Sequence, residues 1–556
     1  MTMTDMTEAT RATVHEVTQH VPAAASAGTL STLLHRSADT YGRAVALRFE
    51  ERSWSYRQLD AAVTLLADQL HRLGLQRGDR VAAFGANSDL YVVLFLACAR
   101  GGFIHVPVNF ALKGDELTYL LEDSQARVVF VEPELLPLVS EVRAAGAAAD
   151  LEQVIPLEPA ETLTGPDSLP DLLIAVSGIL AGEAAEDDVG ETAGAPQSSS
   201  APEQPADPEE IVQLLYTSGT TSAPKGAMMS HRALLAEYVS AIIALDLTED
   251  DRPLIAMPLY HSAAMHVFLM PYLSLGATAR IIRKPVIDEV LRQIDAERIG
   301  SLFLAPTVWV PLANRDDLGP FDLSSLVKAQ YGASIMPTPV LDRLRTMFPK
   351  LGFYNCFGQS ELGPLTCVLR PEDHEARPAS CGRPVHHVEV RVVDFDGNPV
   401  ATGEPGEIQY RSPQVCSGYW RKPEATAEAF AGGWFRSGDQ VVRDSRGYIE
   451  VVDRIKDVIN TGGVLVAPRA VEDCIYEIDG VAEVAVVGLP DDRWIEAITA
   501  FVVLKDGVQL TAEEVQAHVK RRLADFKVPK AVEFVAELPR NQSGKLLKRE
   551  LRREFG

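Results

Sequence analysis

The chain has 556 residues, 46% of them hydrophobic, so it is too long for one ordinary domain and can bury a large core. Its mean hydropathy of +0.01 points to a globular rather than a disordered chain. The formal charge of −25 argues against broad binding to nucleic acid or anionic membrane, which needs clustered Lys and Arg, but leaves room for a local basic cleft.

Residues 1–24 are rich in Thr, Ala and Glu and read as a flexible tail, with no basic start and apolar run to suggest a signal peptide. Apolar residues at helical spacing predict a helix over 60–75, followed by a turn and a short buried strand over 79–84. A buried helix over 90–100 and a strand over 102–108 come next, and this alternation predicts an α/β layered fold. The longest clean apolar stretch, Tyr91 to Ala99, ends at Arg100 and is too short to span a bilayer. Residues 181–210 then hold nine acidic side chains and no Lys or Arg, so 160–208 is expected to be a mostly disordered surface insertion.

Order resumes with the apolar run Ile211 to Tyr216, a Gly/Ser/Thr loop and a helix opening near Ser230. Strands are expected near 279–282, 301–304 and 352–355, and a run of β segments over 388–410. Beyond Asp453 the pattern turns compact α+β: an amphipathic segment over 470–478, strands over 484–488 and 498–504, a helix over 512–524 and a basic tail from Lys545 to Arg553. A boundary at 453–457 divides a domain over 25–453 from a small one over 454–556. Six scattered cysteines without a CxxC pair read as reduced thiols, which fits a cytoplasmic protein.

The sharpest chemical signal is YTSGTTSAPKG, Tyr216 to Gly226. It reads as a buried strand, a hydroxyl-rich loop and a lysine ahead of a helix. Backbone N–H groups and hydroxyls over Thr217, Ser218, Gly219, Thr220 and Thr221 can close around phosphate oxygens, with Lys225 as a point charge. The spacing is not that of the GxxxxGK[ST] loop.

This segment resembles the phosphate loop of the adenylate-forming superfamily, which includes acyl-CoA synthetases, peptide-synthetase adenylation domains and firefly-type luciferases. The usual pattern is TSGTTGxPKG, and Ser222 stands where its second loop glycine sits. Five further segments follow in the superfamily's order. YGAS, with Gly332, Ala333 and Ser334, resembles the backbone strip beside adenine. FGQSE resembles YGxTE, which implies that Phe357 and Gly358 border the base, that Ser360 keeps the motif's hydroxyl, and that Glu361, with Thr217, holds Mg²⁺. WFRSGD resembles WxxTGD, where Asp439 would bind the ribose hydroxyls. DRIKD resembles the hinge, with Asp453 at its start, Arg454 near the ribose and Lys456 as pivot; LPRNQSGK resembles the terminal motif with the mobile catalytic Lys545. Six motifs in one order between Tyr216 and Lys545 are far harder to meet by chance than one.

The resemblance implies a large N-terminal domain of layered sheets and helices, a small mobile α+β lid, and an ATP- and Mg²⁺-dependent ligase. A carboxylate would become an acyl-adenylate and then pass to the thiol of coenzyme A, or to the phosphopantetheine thiol of an acyl carrier protein. Lys545, Lys225 and a Glu361-held Mg²⁺ would supply positive charge. Rotation of the lid would bring Gly462 and Gly463 to the thiol. Val464 departs from the family's usual Glu there, and Arg469 reads as a solvated arginine.

PLYHSAAMHVF, Pro258 to Phe268, resembles the stretch bordering the substrate carboxylate in acyl-CoA synthetases. His261 would orient the acid, and Tyr260, Ala263, Ala264 and Met265 would line an acyl pocket. A medium- or long-chain fatty acid is the expected substrate, with an aromatic acid open. A binding or scaffold protein without catalysis is the reading from another class.

Overall fold

The computed structural model describes residues 28–157, 207–217, 223–315, 318–334, 336–462, 464–491, 493–505, 507–540 and 546–556, without the side chains of residues 456 and 465. The expected tail, 1–24, and the expected insertion, 160–208 except its last two residues, lie outside the described residues.

Two sheets, parallel in their centres, build the large N-terminal part. One has six strands in the order Gln153–Pro156, Ala126–Val131, Arg80–Phe84, Ile104–Val108, Ile211–Thr217, Lys225–Ser230. The other has nine and runs from Arg383–Pro384 through Gly352–Gly358, Lys328–Gly332 and Ser301–Leu304 to Val45–Phe49 and Arg52–Ser55. Parallel strands are covered on both faces, which is why they read as unbroken apolar runs. Helix Asp89–Gly101 lies within the shared core, and every residue of it except Arg100 is buried. A helix that is apolar all round has no solvent face to offer. Its one acid, Asp89, accepts from Arg52 Nε at 2.7 Å and Trp54 Nε1 at 2.7 Å. Helix Tyr56–Arg72 packs beside it and begins four residues before the predicted start. Ser55 and Gln58 form a capping box there, which the apolar spacing alone did not reveal.

A four-stranded antiparallel sheet follows, ordered Glu389–Val393, Pro405–Arg411, Phe435–Arg443, Ile449–Arg454. The C-terminal part has a five-stranded sheet with its own apolar core of Val466, Val471, Ile475, Val486, Val502 and Val519. The predicted basic tail is, in its described residues, helix Lys548–Phe555 rather than a loose end. Lys548 Nζ is 2.8 Å from Glu472 and Arg552 is 2.8 Å from Asp457, so these cations are committed within the small domain.

One element differs in kind from its expectation. Lys225 does not lead into a helix. It opens strand Lys225–Ser230, which runs antiparallel to Ile211–Thr217 with Thr217 opposite Lys225. The helix starts at His231, where an opening near Ser230 was expected, capped by Ser230 Oγ accepting from the Ala233 N–H at 3.2 Å. The hydroxyl-rich segment is therefore flanked by two antiparallel strands, which pair as a hairpin.

Candidate active site

A cleft of about 1520 Å³ opens between the two parts. Thr217, Lys225, Tyr260, His261, Ala333, Phe357, Gly358, Ser360, Glu361 and Arg454 all line it, and helix Lys548–Phe555 adds Arg549 and Arg553. Ser218, Gly219, Thr220, Thr221, Ser222, Gly463, Lys545 and the side chain of Lys456 lie outside the described residues.

The two sides of the hairpin are tied to helix Gly114–Ser124, the first through Asp123 and the second through Tyr119. Asp123 accepts from Tyr216 Oη at 2.8 Å and from Lys422 Nζ at 2.7 Å. Tyr119 donates to the Pro224 carbonyl at 2.9 Å. Glu361 stands beside the hairpin in the turn Ser360–Leu362. Its Oε1 accepts from Thr217 Oγ1 at 3.1 Å and from Tyr419 Oη at 3.0 Å. Behind that turn lies Glu237, fully buried, which accepts from the Leu365 N–H at 3.1 Å and from Gln414 Nε2. Burial pushes the Glu237 carboxyl well above the usual carboxylate range.

The Glu361 carboxylate and Thr217 hydroxyl form an oxygen-only donor set of the kind Mg²⁺ takes. Among the described residues no group of three or more His, Cys, Asp or Glu could hold an ion alone.

The strip expected beside adenine is tightly built. A Cβ on Gly332 would fall 2.2 Å from the Cys356 carbonyl oxygen, and one on Gly358 would fall 1.7 Å from that of Pro364. Only glycine allows those approaches. Ala333 has a left-handed φ of 63° and faces the cleft, whereas Gly332 and Ser334 do not line it. Asp439 is 2% exposed and lies beneath the cleft wall formed by Ser437 and Gly438. Arg454 Nε is 2.6 Å from its Oδ1, and Gln359 Nε2 donates to its Oδ2 at 2.6 Å. Arg454 and Gln359 thus hold Asp439, one at each carboxylate oxygen.

In the segment expected to be the hinge, Asp453 accepts from the N–H groups of Arg454 at 2.7 Å and Arg469 at 3.2 Å, and burial raises its carboxyl. Arg469 is not the solvated residue expected, because its guanidinium donates to the Val451 carbonyl and lies 3.6 Å from Asp473. Gly462 has φ of 64°, and its N–H donates to the Trp494 carbonyl at 2.6 Å.

The acid end of the cleft departs most from expectation. Ala263–Leu269 is a π-helical turn, whose wider winding changes which residues share a face. Ala263, Val267 and Phe268 line the cleft with Tyr260 and His261. Ala264 and Met265, expected in the acyl pocket, do not line the cleft and pack into the core instead. Phe268 stacks on Phe303 with centroids 4.5 Å apart and planes 18° apart, and both rings line the cleft. His266 is interior, with Nε2 2.7 Å from Gln213 Oε1 and Nδ1 3.0 Å from Tyr238 Oη. Gln359, Tyr419, Asp123, Val267, Phe268 and Phe303 are the residues that the motifs did not single out.

Comparison with known proteins agrees with this architecture. The family model described as AMP-binding enzyme matches residues 34–420, and the AMP-binding enzyme C-terminal domain matches 470–545. A feruloyl-CoA synthase of Amycolatopsis is 36% identical over 92% of this chain and 96% of its own length. A medium/long-chain fatty acid–CoA ligase of Mycobacterium tuberculosis is 36% identical over 90% of this chain and 85% of its own. Among solved structures, an anthranilate–CoA ligase in complex with anthranoyl-AMP superposes with a TM-score of 0.83, at 25% identity, covering 95% of this chain and 97% of that one. Fold and cleft thus define an enzyme that activates acids with a nucleotide. The chain belongs to the AMP-binding enzyme family, and within it is an acid–thiol ligase.

Proposed function

We propose that this enzyme uses ATP and Mg²⁺ to convert a compact, largely apolar carboxylic acid with an aromatic ring into an acyl-adenylate, and passes the acyl group to coenzyme A. The carrying observation is that the phosphate hairpin, the Glu361 carboxylate and an aromatic-walled pocket at Tyr260 and His261 share one cleft. The stacked pair Phe268 and Phe303 supports an aromatic acid, since flat rings pack well against flat rings. The relatives that act on feruloyl and anthranoyl groups support it as well.

A substrate carboxylate oxygen would attack the α-phosphorus of ATP, and the bond to the bridging oxygen would break to release pyrophosphate. Bound Mg²⁺ would spread the negative charge of the phosphates. Thr217 and Glu361 would hold it, Lys225 would add positive charge, and His261 would orient the acid. Lys545 would neutralise charge developing at the α-phosphate. The thiol would then attack the acyl carbon, AMP would leave, and the thiol proton would pass to solvent. Between the steps, residues 454–556 would turn about 453–457 and exchange Lys545 for Gly462 and Gly463.

Ala263 and Val267, small and aliphatic in the same pocket, favour a second reading, a medium-length or longer fatty acid, as for the mycobacterial relative. A carrier-protein acceptor draws less support, because the Lys548 and Arg552 cations are paired inside the small domain. The described helices include none long and apolar enough to cross a membrane. The six free, buried cysteines suit a reducing compartment, and we place the enzyme in the cytoplasm.

The test is mass-detected product formation from ATP, Mg²⁺ and a panel of cinnamic, phenylacetic, benzoic and straight-chain acids. Coenzyme A and a phosphopantetheine-bearing carrier protein are offered in parallel. Aryl-CoA as the dominant product is expected. Turnover confined to straight-chain acids refutes the substrate reading, and acyl-carrier product without acyl-CoA refutes the acceptor reading.

A further inference from the structure

One side chain outside the motif set touches two of the phosphate-handling residues at once. Tyr419 is 9% exposed and lines the cleft. Its hydroxyl donates at 3.0 Å to Glu361 Oε1, the oxygen that also accepts from Thr217 Oγ1 at 3.1 Å. Its ring lies 5.2 Å from Lys225 Nζ, within cation–π range. The backbone around it is stitched to the outgoing strand of the phosphate hairpin. The Trp420 N–H donates to the Gly226 carbonyl at 2.8 Å, the Met228 N–H to that of Gly418 at 2.9 Å, and the Ser417 N–H to that of Met228 at 2.9 Å. Tyr419 also forms a β-bridge with Ala227, and its own N–H donates to Thr426 Oγ1 at 2.9 Å. The phenol therefore moves with the hairpin and spans from it to the turn that carries Glu361.

A carboxylate is symmetric. Left to rotate, it offers either oxygen, or both, to a cation. Two hydroxyl donors on one oxygen break that symmetry, because turning the group forfeits both bonds. A lysine on its flexible stem has a similar problem of direction, and an aromatic face beneath its ammonium narrows the choice.

We propose that Tyr419 is a positioning residue for phosphate handling: its hydroxyl pins Glu361 Oε1 so that Oε2 is presented to the metal–phosphate unit, and its ring aims the Lys225 ammonium at the nucleotide. This rests on the reading of the cleft as an ATP and Mg²⁺ site.

Two variants of the full-length enzyme separate the two actions. Tyr419→Phe keeps the ring and loses the hydroxyl, and Tyr419→Leu loses both. Metal affinity is read without turnover by water-proton relaxation with Mn²⁺ in the presence of α,β-methylene-ATP. Affinity for the same analogue without metal is read by calorimetry. Hydrogen bonds to charged groups are strong enough that Tyr419→Phe is expected to weaken Mn²⁺ binding roughly tenfold. Its metal-free affinity for the analogue should stay within about twofold of wild type, since the ring remains. Tyr419→Leu should weaken metal-free binding about threefold or more. Wild-type Mn²⁺ affinity in Tyr419→Phe overturns the inference, and so does a parallel loss of metal-free affinity in that variant, which would mean a disturbed cleft. Tyr419→Phe carries the test by itself if Tyr419→Leu does not fold. A wild-type enzyme that binds neither analogue nor metal overturns the functional reading instead, and this inference with it.

Discussion

Three buried histidines should make the enzyme acid-sensitive well above the range where its carboxylates titrate. Burial holds His105 and His266 down to about 3, and His231 down to about 4. Geometry agrees, because each uses Nδ1 as an acceptor. His105 Nδ1 lies 3.0 Å from Gln213 Nε2, His231 Nδ1 lies 3.2 Å from the Leu30 N–H nitrogen, and His266 Nδ1 lies 3.0 Å from Tyr238 Oη. A proton on Nδ1 of His105 or His231 would replace a hydrogen bond with a clash of donors, and one on His266 would force the Tyr238 hydroxyl to turn from donor to acceptor, each within a buried site that disfavours charge. All three are depressed, so the unfolded chain binds more protons than the folded one below about pH 6.5. Their stabilisation is complete above that pH and falls as pH drops through it toward the folded values. At pH 5.5 an exposed imidazole is about nine-tenths protonated, which costs the fold about 1.4 kcal/mol per histidine, or roughly 4 kcal/mol for the three. Glu237 acts with the opposite sign, since a carboxyl raised by burial stabilises at low pH and loses that contribution as pH rises. It is common to wild type and variant and drops out of their difference. The assay is urea unfolding at pH 8 and pH 5.5, followed by fluorescence, with Trp54 and Trp309 buried in the large part. The triple variant His105→Gln, His231→Gln, His266→Gln keeps polar groups without titrating, and its stability should change with pH less than wild type by the amount above. Parallel pH dependences would refute the reasoning.

Phe303→Ala removes the stacking partner of Phe268, and is expected to cost about 3 kcal/mol of stability and to shift kcat/KM toward bulkier acids by roughly tenfold, read across the acid panel. Glu237→Ala strips partners from Gln414 and the Leu365 N–H, and should cost about 2–3 kcal/mol by thermal or urea unfolding while weakening metal dependence through the Glu361 turn. Lys545→Ala should abolish acid-dependent adenylate formation while circular dichroism stays that of the wild type; adenylate at the wild-type rate would show that another group serves as the catalytic lysine.

Much of the large part was legible because its signals are local. Ser301–Leu304 falls on its predicted bounds, and Asp89–Gly101 shows its burial in an unbroken apolar run. The motifs stood out for a related reason: each places several unusual residue types within a few positions. What stayed hidden depends on contacts distant in sequence or on a changed period. KGAMMS is too short to declare itself a strand, and Ser230 looks like a helix cap in either case. Met265 has the softness expected of a pocket residue, yet the π-helical turn gives the cleft to Val267 and Phe268. The bonds that Gln359 and Arg454 make to Asp439 could not be read from the chain, because Gln359 comes from a distant segment and Arg454 from the neighbouring strand. Arg469 reads as solvated only while Val451 and Asp473 are not yet its neighbours. Tyr419 carries no chemical signal by itself, and its part emerges only when Glu361 and Lys225 are brought to it from distant segments.

The most direct measurement of the central claim is acid-dependent exchange of labelled pyrophosphate into ATP, with Mg²⁺ and no thiol present. Exchange isolates adenylation from transfer, since it needs only reversible formation of acyl-adenylate in the cleft. Exchange that appears with an aryl acid, vanishes without acid or Mg²⁺, and collapses in Glu361→Gln is the predicted result. An enzyme that forms acyl-thioester while showing no exchange with any acid, or exchange untouched by Glu361→Gln, would contradict the assignment of the phosphate hairpin and Glu361 as the adenylation site.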